Sequence, residues 1–150
     1  MLLVPLLQIV SQEIMKRVVD ILHSEQCSCV VENRGEIHTF FGRGVKDLYT
    51  LYTTRPDILH GALIADKVVG RAAAALMIMG GVKQVYADTI SELALELFSQ
   101  TDIKVDFGDR VPHIINRNKT DMCPMERSTQ HLNSLDTIID AIDKFICSLA

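Results

Sequence analysis

Between Gly61 and Phe107 three short apolar runs alternate with two stretches of helical periodicity, an order that forces neighbouring strands to lie parallel. The runs are GALIAD (61–66), VKQVYA (82–87) and IKVDF (103–107), each short enough for a buried strand. The first intervening stretch, KVVGRAAAALMIMGG, carries small residues that let a helix approach a sheet closely, and Gly80-Gly81 end it. The second, ISELALELFSQ, places Leu93, Leu97 and Phe98 on one side. Strand–helix–strand–helix–strand closes most simply through right-handed crossovers.

Upstream, Val10, Ile14, Val18, Ile21 and Leu22 recur at helical spacing and predict a first helix over 8–23. Two β-rich runs, 27–32 and 36–41, flank Asn33-Arg34-Gly35 and read as a hairpin. Gly42-Arg43-Gly44 ends it, and 45–54 reads as a short helix stopped before Pro56. Residues 108–134 are polar and irregular, and 135–149 form a closing amphipathic helix. A chain of 150 residues matches one domain and buries enough surface to need no disulfide or metal staple. With aromatics at 5% and no Trp, the core must be Leu, Ile, Val, Ala and Met. The expected fold class is α/β: one domain over 1–150, a three-layer α/β/α sandwich with a mixed sheet, antiparallel at the hairpin and parallel elsewhere.

Charge and motif content exclude several functions. A net charge of -4, with no basic run longer than two residues, argues against a nucleic-acid partner. The opening MLLVPLLQIV lacks a basic flank and is interrupted by Pro5 and Gln8, so it reads as a helix lead-in rather than a targeting or membrane segment. Four cysteines lack the density of a secreted scaffold and read as reduced thiols, which points to the cytoplasm. Cys27-Ser28-Cys29 alternates across a strand, the five histidines are scattered, and no C-x-x-C, H-E-x-x-H, nucleophile elbow, G-x-G-x-x-G or Walker loop occurs. No metal and no cofactor is expected.

Ligands of open α/β sheets bind outside the carboxyl ends of the strands. The parallel runs end in Asp66-Lys67, Asp88-Thr89 and Asp106-Phe107-Gly108. Thr89 to Glu92 fits a capping box, and Asp66 could be a plain N-cap. Lys67 is harder to reduce to a cap, because a cation in a first helical turn opposes the helix dipole and calls for Asp66 or a bound anion as partner. A second cluster spans 111–127: Asn116 and Arg117 suit forked recognition of a carboxylate or phosphate. Cys123-Pro124-Met125-Glu126 reads as a helix start, where Cys123 is either a packing residue or a low-pKa thiol. Arg43 between Gly42 and Gly44 is either a strand-ending turn or a close approach to an anion.

The blocks GRGVKDL, ADKVVGRAAAALMIMGGVKQVYADTISELALELF, VPHIINRNKT and MCPME, in order over about 14–127, resemble the uncharacterised bacterial family of domain of unknown function 1893. The N-terminal stretch and the last helix lie outside that resemblance. It implies a cytidine-deaminase-like fold and no established activity. Zinc deaminases require a His or Cys with Glu at one helix start and P-C-x-x-C at the next. The corresponding positions, Asp66-Lys67-Val68 and Asp88-Thr89-Ile90-Ser91, offer neither thiol nor imidazole, so hydrolytic deamination by zinc hydroxide has no ligands there. Residues matching the family's blocks include Arg43, Gly44, Asp66, Lys67, Asn116, Arg117, Cys123 and Glu126.

Two functions follow. In the first, the domain binds a small anionic or nucleotide-like molecule, with Arg43, Gly44, Asn116 and Arg117 as binding residues and Asp66, Lys67, Cys123 and Glu126 as the candidates for any chemistry. In the second, it is a non-catalytic interaction module whose polar cluster is an ion-pair network holding the long loop. A homodimer is expected in either case.

Overall fold

A computed structural model describes residues 3–149, with side chains described from Leu6 onward. Met1, Leu2 and the side chains of the next three residues, the first part of the apolar lead-in, lie outside the described residues. The chain runs α1 (Leu3–Ser24), β1 (Cys29–Asn33), β2 (Glu36–Phe40), α2 (Lys46–Thr54), α3 (Pro56–Leu59), β3 (Leu63–Val69), α4 (Arg71–Gly80), β4 (Gln84–Ser91), α5 (Glu92–Phe98), β5 (Lys104–Val111), α6 (Pro124–Thr129) and α7 (Leu135–Ser148). Five strands form one open mixed sheet in the order β2-β1-β3-β4-β5. β1 is antiparallel to both β2 and β3, while β3, β4 and β5 are parallel, as the alternating runs require.

Helices cover both faces, and the pleat decides which residue meets which. Successive strand side chains alternate. Val30 and Ala65 join Val18 and Leu22 of α1 on one face, while Val31 and Ile64 join Leu48, Leu76 and Ile138 on the other. The Ala72–Ala75 row of α4 is almost fully buried, which lets that helix lie close to the sheet. Gly81, at φ 79°, closes α4 in the left-handed region, and a side chain there would strike His60. The hairpin turn sits at Arg34 and Gly35, both at positive φ, with Gly35 N–H donating to Glu32.

Several element ends differ from the sequence reading. β3, β4 and β5 run past the apolar runs into polar residues, ending at Val69, Ser91 and Val111. α4 therefore starts at Arg71 with Gly70 as its N-cap, and Lys67 lies within β3 rather than in a first helical turn. The dipole argument for Lys67 falls with that placement. Pro56 opens α3 instead of only stopping α2. Among the described residues no helix is long and apolar enough to cross a membrane.

Candidate functional site

Asp66 lies directly opposite Cys29 across the β1–β3 ladder, and Cys29 belongs to the helix-covered core containing Leu48 and Leu51. The residue is buried, with 9% of its surface exposed. The Oδ1 atom accepts the Val68 N–H at 3.3 Å, and no cation pairs with it among the described residues. Burial pushes its carboxyl up from 3.8 to about 7, the Lys67 and Val68 amides oppose this, and the charges of Asp88 and Asp47 add to it. Asp66 is thus not the helix cap the sequence allowed. It is a buried acid inside a strand.

Lys67 follows on the strand and is exposed; its charge is felt by Cys27, on the α1 side of the sheet. The two neighbours point to opposite faces. Lys67 N–H donates to Ser28 O, and Ser28 N–H donates to Phe40 O. This backbone relay brings the loop after β2 to the same end of the sheet. In that loop Gly42 N–H donates to Asp47 Oδ2 at 3.0 Å, and a Cβ at Gly42 would lie 2.3 Å from the same oxygen. Gly44 has φ 66°, and Arg43 between them is exposed without an ion pair among the described residues.

Glu126 is 2% exposed and fully engaged. Oε1 accepts the Arg71 N–H at 2.7 Å and Oε2 accepts the Ile114 N–H at 3.0 Å. Gly70 leaves the room this requires, since a Cβ there would sit 3.1 Å from Oε1. A carboxylate distant in sequence therefore caps α4, where Gly70 has no side chain to do so. The same bonds moor segment 112–123 to the end of β3. Asn116 shapes that segment's turn: Oδ1 accepts the Thr120 N–H at 3.0 Å and Nδ2 donates to Thr120 Oγ1 at 3.1 Å. Arg117 rides on the turn, exposed and without an ion pair among the described residues. Cys123 occupies the N-cap of α6, as the Cys-Pro dipeptide indicated, but its side chain makes no cap bond and packs on the helix-side core.

The sequence residues thus gather at one end of the sheet but not into one cluster. Asp66 and Glu126 lie on the α4 side, Lys67 on the α1 side, and Arg43 and Arg117 on loops. The expected capping box is also displaced. Ser91, not Thr89, caps α5 by accepting the Ala94 N–H at 3.1 Å, Thr89 lies inside β4, and Glu92 faces Arg110 at 3.5 Å. Both helix N-termini that could have received an anion are capped by the chain itself. Their opening residues, Gly70, Arg71, Ser91 and Glu92, include no thiol or imidazole, so a deaminase zinc ion does not fit there.

One constellation carried no sequence signal. His23, in the last turn of α1, places Nε2 2.7 Å from Asp88 Oδ1, which also accepts the Tyr86 hydroxyl at 2.9 Å. His23 and Tyr86 meet edge to face. The partners are 65 residues apart, and the helical periodicity of α1 gives no hint of them. Two surface grooves lie elsewhere, one between α1 and the starts of β4 and β5, the other between α5 and β5.

The family model described as "Domain of unknown function (DUF1893)" matches residues 17–146. That span takes in most of α7, which the sequence resemblance had left outside. The crystal structure of a DUF1893 family protein, TM1506 of Thermotoga maritima at 2.70 Å resolution, is similar with a TM-score of 0.80 at 23% identity, over 87% of this chain and 88% of that one. No curated protein matches this chain.

Proposed function

Because this chain belongs to the DUF1893 family, we propose that it is a zinc-free domain of cytidine-deaminase-like fold that binds a small anionic, nucleotide-like molecule where the parallel strands end. The observation that carries this reading is that two exposed cations, Arg43 and Lys67, stand without carboxylate partners among the described residues at the end of the sheet where the buried acid Asp66 also lies, Lys67 on the opposite face from it. Gly44 gives the Arg43 loop its shape, and Arg117 on the turn built by Asn116 supplies a third free cation. Asp66, held near 7 by burial, can act as donor or acceptor toward a bound group at neutral pH. The strand order and the antiparallel hairpin are compatible with the deaminase-like fold; a nucleotide-like ligand is taken from that fold by analogy. A cytoplasmic location follows from reading the four free thiols as reduced.

The bonding of Glu126 favours a second reading, a non-catalytic module, held by backbone hydrogen bonds and not by the expected ion-pair network, since among the described residues none of Arg43, Asp66, Lys67, Arg117 and Glu126 forms an ion pair. Both of its oxygens accept backbone N–H bonds, which supports a role in fastening a loop to α4. Thermal-shift and calorimetric titration with nucleotides and sugar phosphates separates the two. Binding that weakens in Arg43→Ala and Lys67→Ala supports the ligand site. An unchanged melting curve with every compound leaves the module.

A further inference from the structure

We propose that the loop from Phe41 to Val45 recognises a ligand joining a flat heteroaromatic ring to a phosphate, Phe41 stacking on the ring and Arg43 holding the phosphate. The inference rests on the anion-binding reading above and names the ligand class. Phe40 and Phe41 are adjacent but divide their roles: Phe40 packs against the helix-side core, and Phe41 stands 62% exposed where β2 ends. Phe41 is not needed to hold the loop. The loop's path is fixed by the Gly42 bond to Asp47 and by the positive φ of Gly44. A Cβ at Gly44 would meet nothing within 4 Å, so the loop is open at that position, and Arg43 beside it is exposed.

A bare phosphate has no use for the exposed ring, and an apolar molecule has none for an unpaired guanidinium. A nucleotide uses both, since a base stacks on an aromatic face and a phosphate accepts forked N–H bonds. The backbone relay from Phe40 through Ser28 to Lys67 sets a second cation at the same end of the sheet. A polymeric nucleic acid is disfavoured by the net charge of -4. The ligand is therefore a free mononucleotide.

The chain has no Trp, so Phe41→Trp introduces a single reporter at the stacking position. We expect ribonucleoside 5′-monophosphates to quench its emission saturably, and ribose 5-phosphate to bind by calorimetry without quenching. Phe41→Ala should weaken the monophosphates roughly 5- to 150-fold while leaving ribose 5-phosphate within about two-fold. Arg43→Ala should weaken both, and circular dichroism melting of each variant checks the fold. If monophosphates and ribose 5-phosphate bind equally and Phe41→Ala moves neither, ring recognition is wrong while the anion site stands. If nucleosides bind as well as monophosphates and Arg43→Ala is silent, the phosphate role is wrong. No binding of any probe to the wild type overturns this inference together with the function it rests on.

Discussion

Glu126 shows how one residue type can carry opposite meanings. A glutamate in the first turn of a helix after Cys-Pro is a candidate proton carrier in sequence, and in the fold it is a cap for a different helix. Removing it would leave the Arg71 and Ile114 amides without partners in a buried place. Glu126→Ala is expected to cost roughly 2–4 kcal/mol in urea unfolding, with Glu126→Gln recovering part of it. A loss under about 0.5 kcal/mol would show that water replaces the carboxylate. Asp66 makes a separate prediction. Its native carboxyl lies above the unfolded value, so the native state binds the proton more tightly, and stability contributed by the protonated form declines as pH rises from 3.8 to about 7. Asp66→Asn removes that decline. From about pH 5 to about pH 8 the wild type should lose up to ~3 kcal/mol more than the variant. Parallel stability profiles for the two proteins would contradict this.

At the scale of elements, the apolar runs reported where strands begin and not where they stop. DTIS and GDRV are polar, yet β4 and β5 continue through them, because ladder bonds to the neighbouring strand hold the backbone whatever the side chains prefer. The extension of β4 made Ser91 the cap, and the same continuation of β3 to Val69 put Lys67 in a strand. Arg71 is the cation that actually opens α4, and its charge is answered far away. With 1% exposure it donates from Nη1 to Leu93 O at 2.7 Å and from Nη2 to Leu132 O at 2.8 Å, joining α4, α5 and the approach to α7. Arg71→Met is expected to destabilise by roughly 3 kcal/mol or more in denaturant unfolding, and Arg71→Lys should not restore the forked bonds. Full stability of the Lys variant would mean the charge, not the fork, matters.

At the scale of the whole molecule, the two faces of the sheet are unequally covered. α4, α5, α6 and α7 share one large core, whereas α1 rests on β1 and β3 through Val18 and Leu22, with Cys27 beside them. Its first half exposes Leu6, Leu7, Ile9 and Val10. Hydrogen exchange should therefore release the amides of α1 through a partial opening before those of α4, β3 and β4. Simultaneous exchange of all four would place α1 in the same cooperative unit as the main core.

The order of elements, the parallel trio, the hairpin turn and the closing helix were legible in the residues, since periodicity and turn chemistry act between near neighbours. Arg43, Asp66 and Glu126 were legible as polar residues near strand and helix ends. The long-range matches were not: Glu126 with Arg71 and His23 with Asp88 join donors and acceptors far apart in the chain. Which face Asp66 or Lys67 looks toward depends on the register of a whole sheet. Local spacing sets what each segment can become; only the packed chain decides which backbone amide a buried carboxylate meets, because that bond exists when both ends are desolvated together.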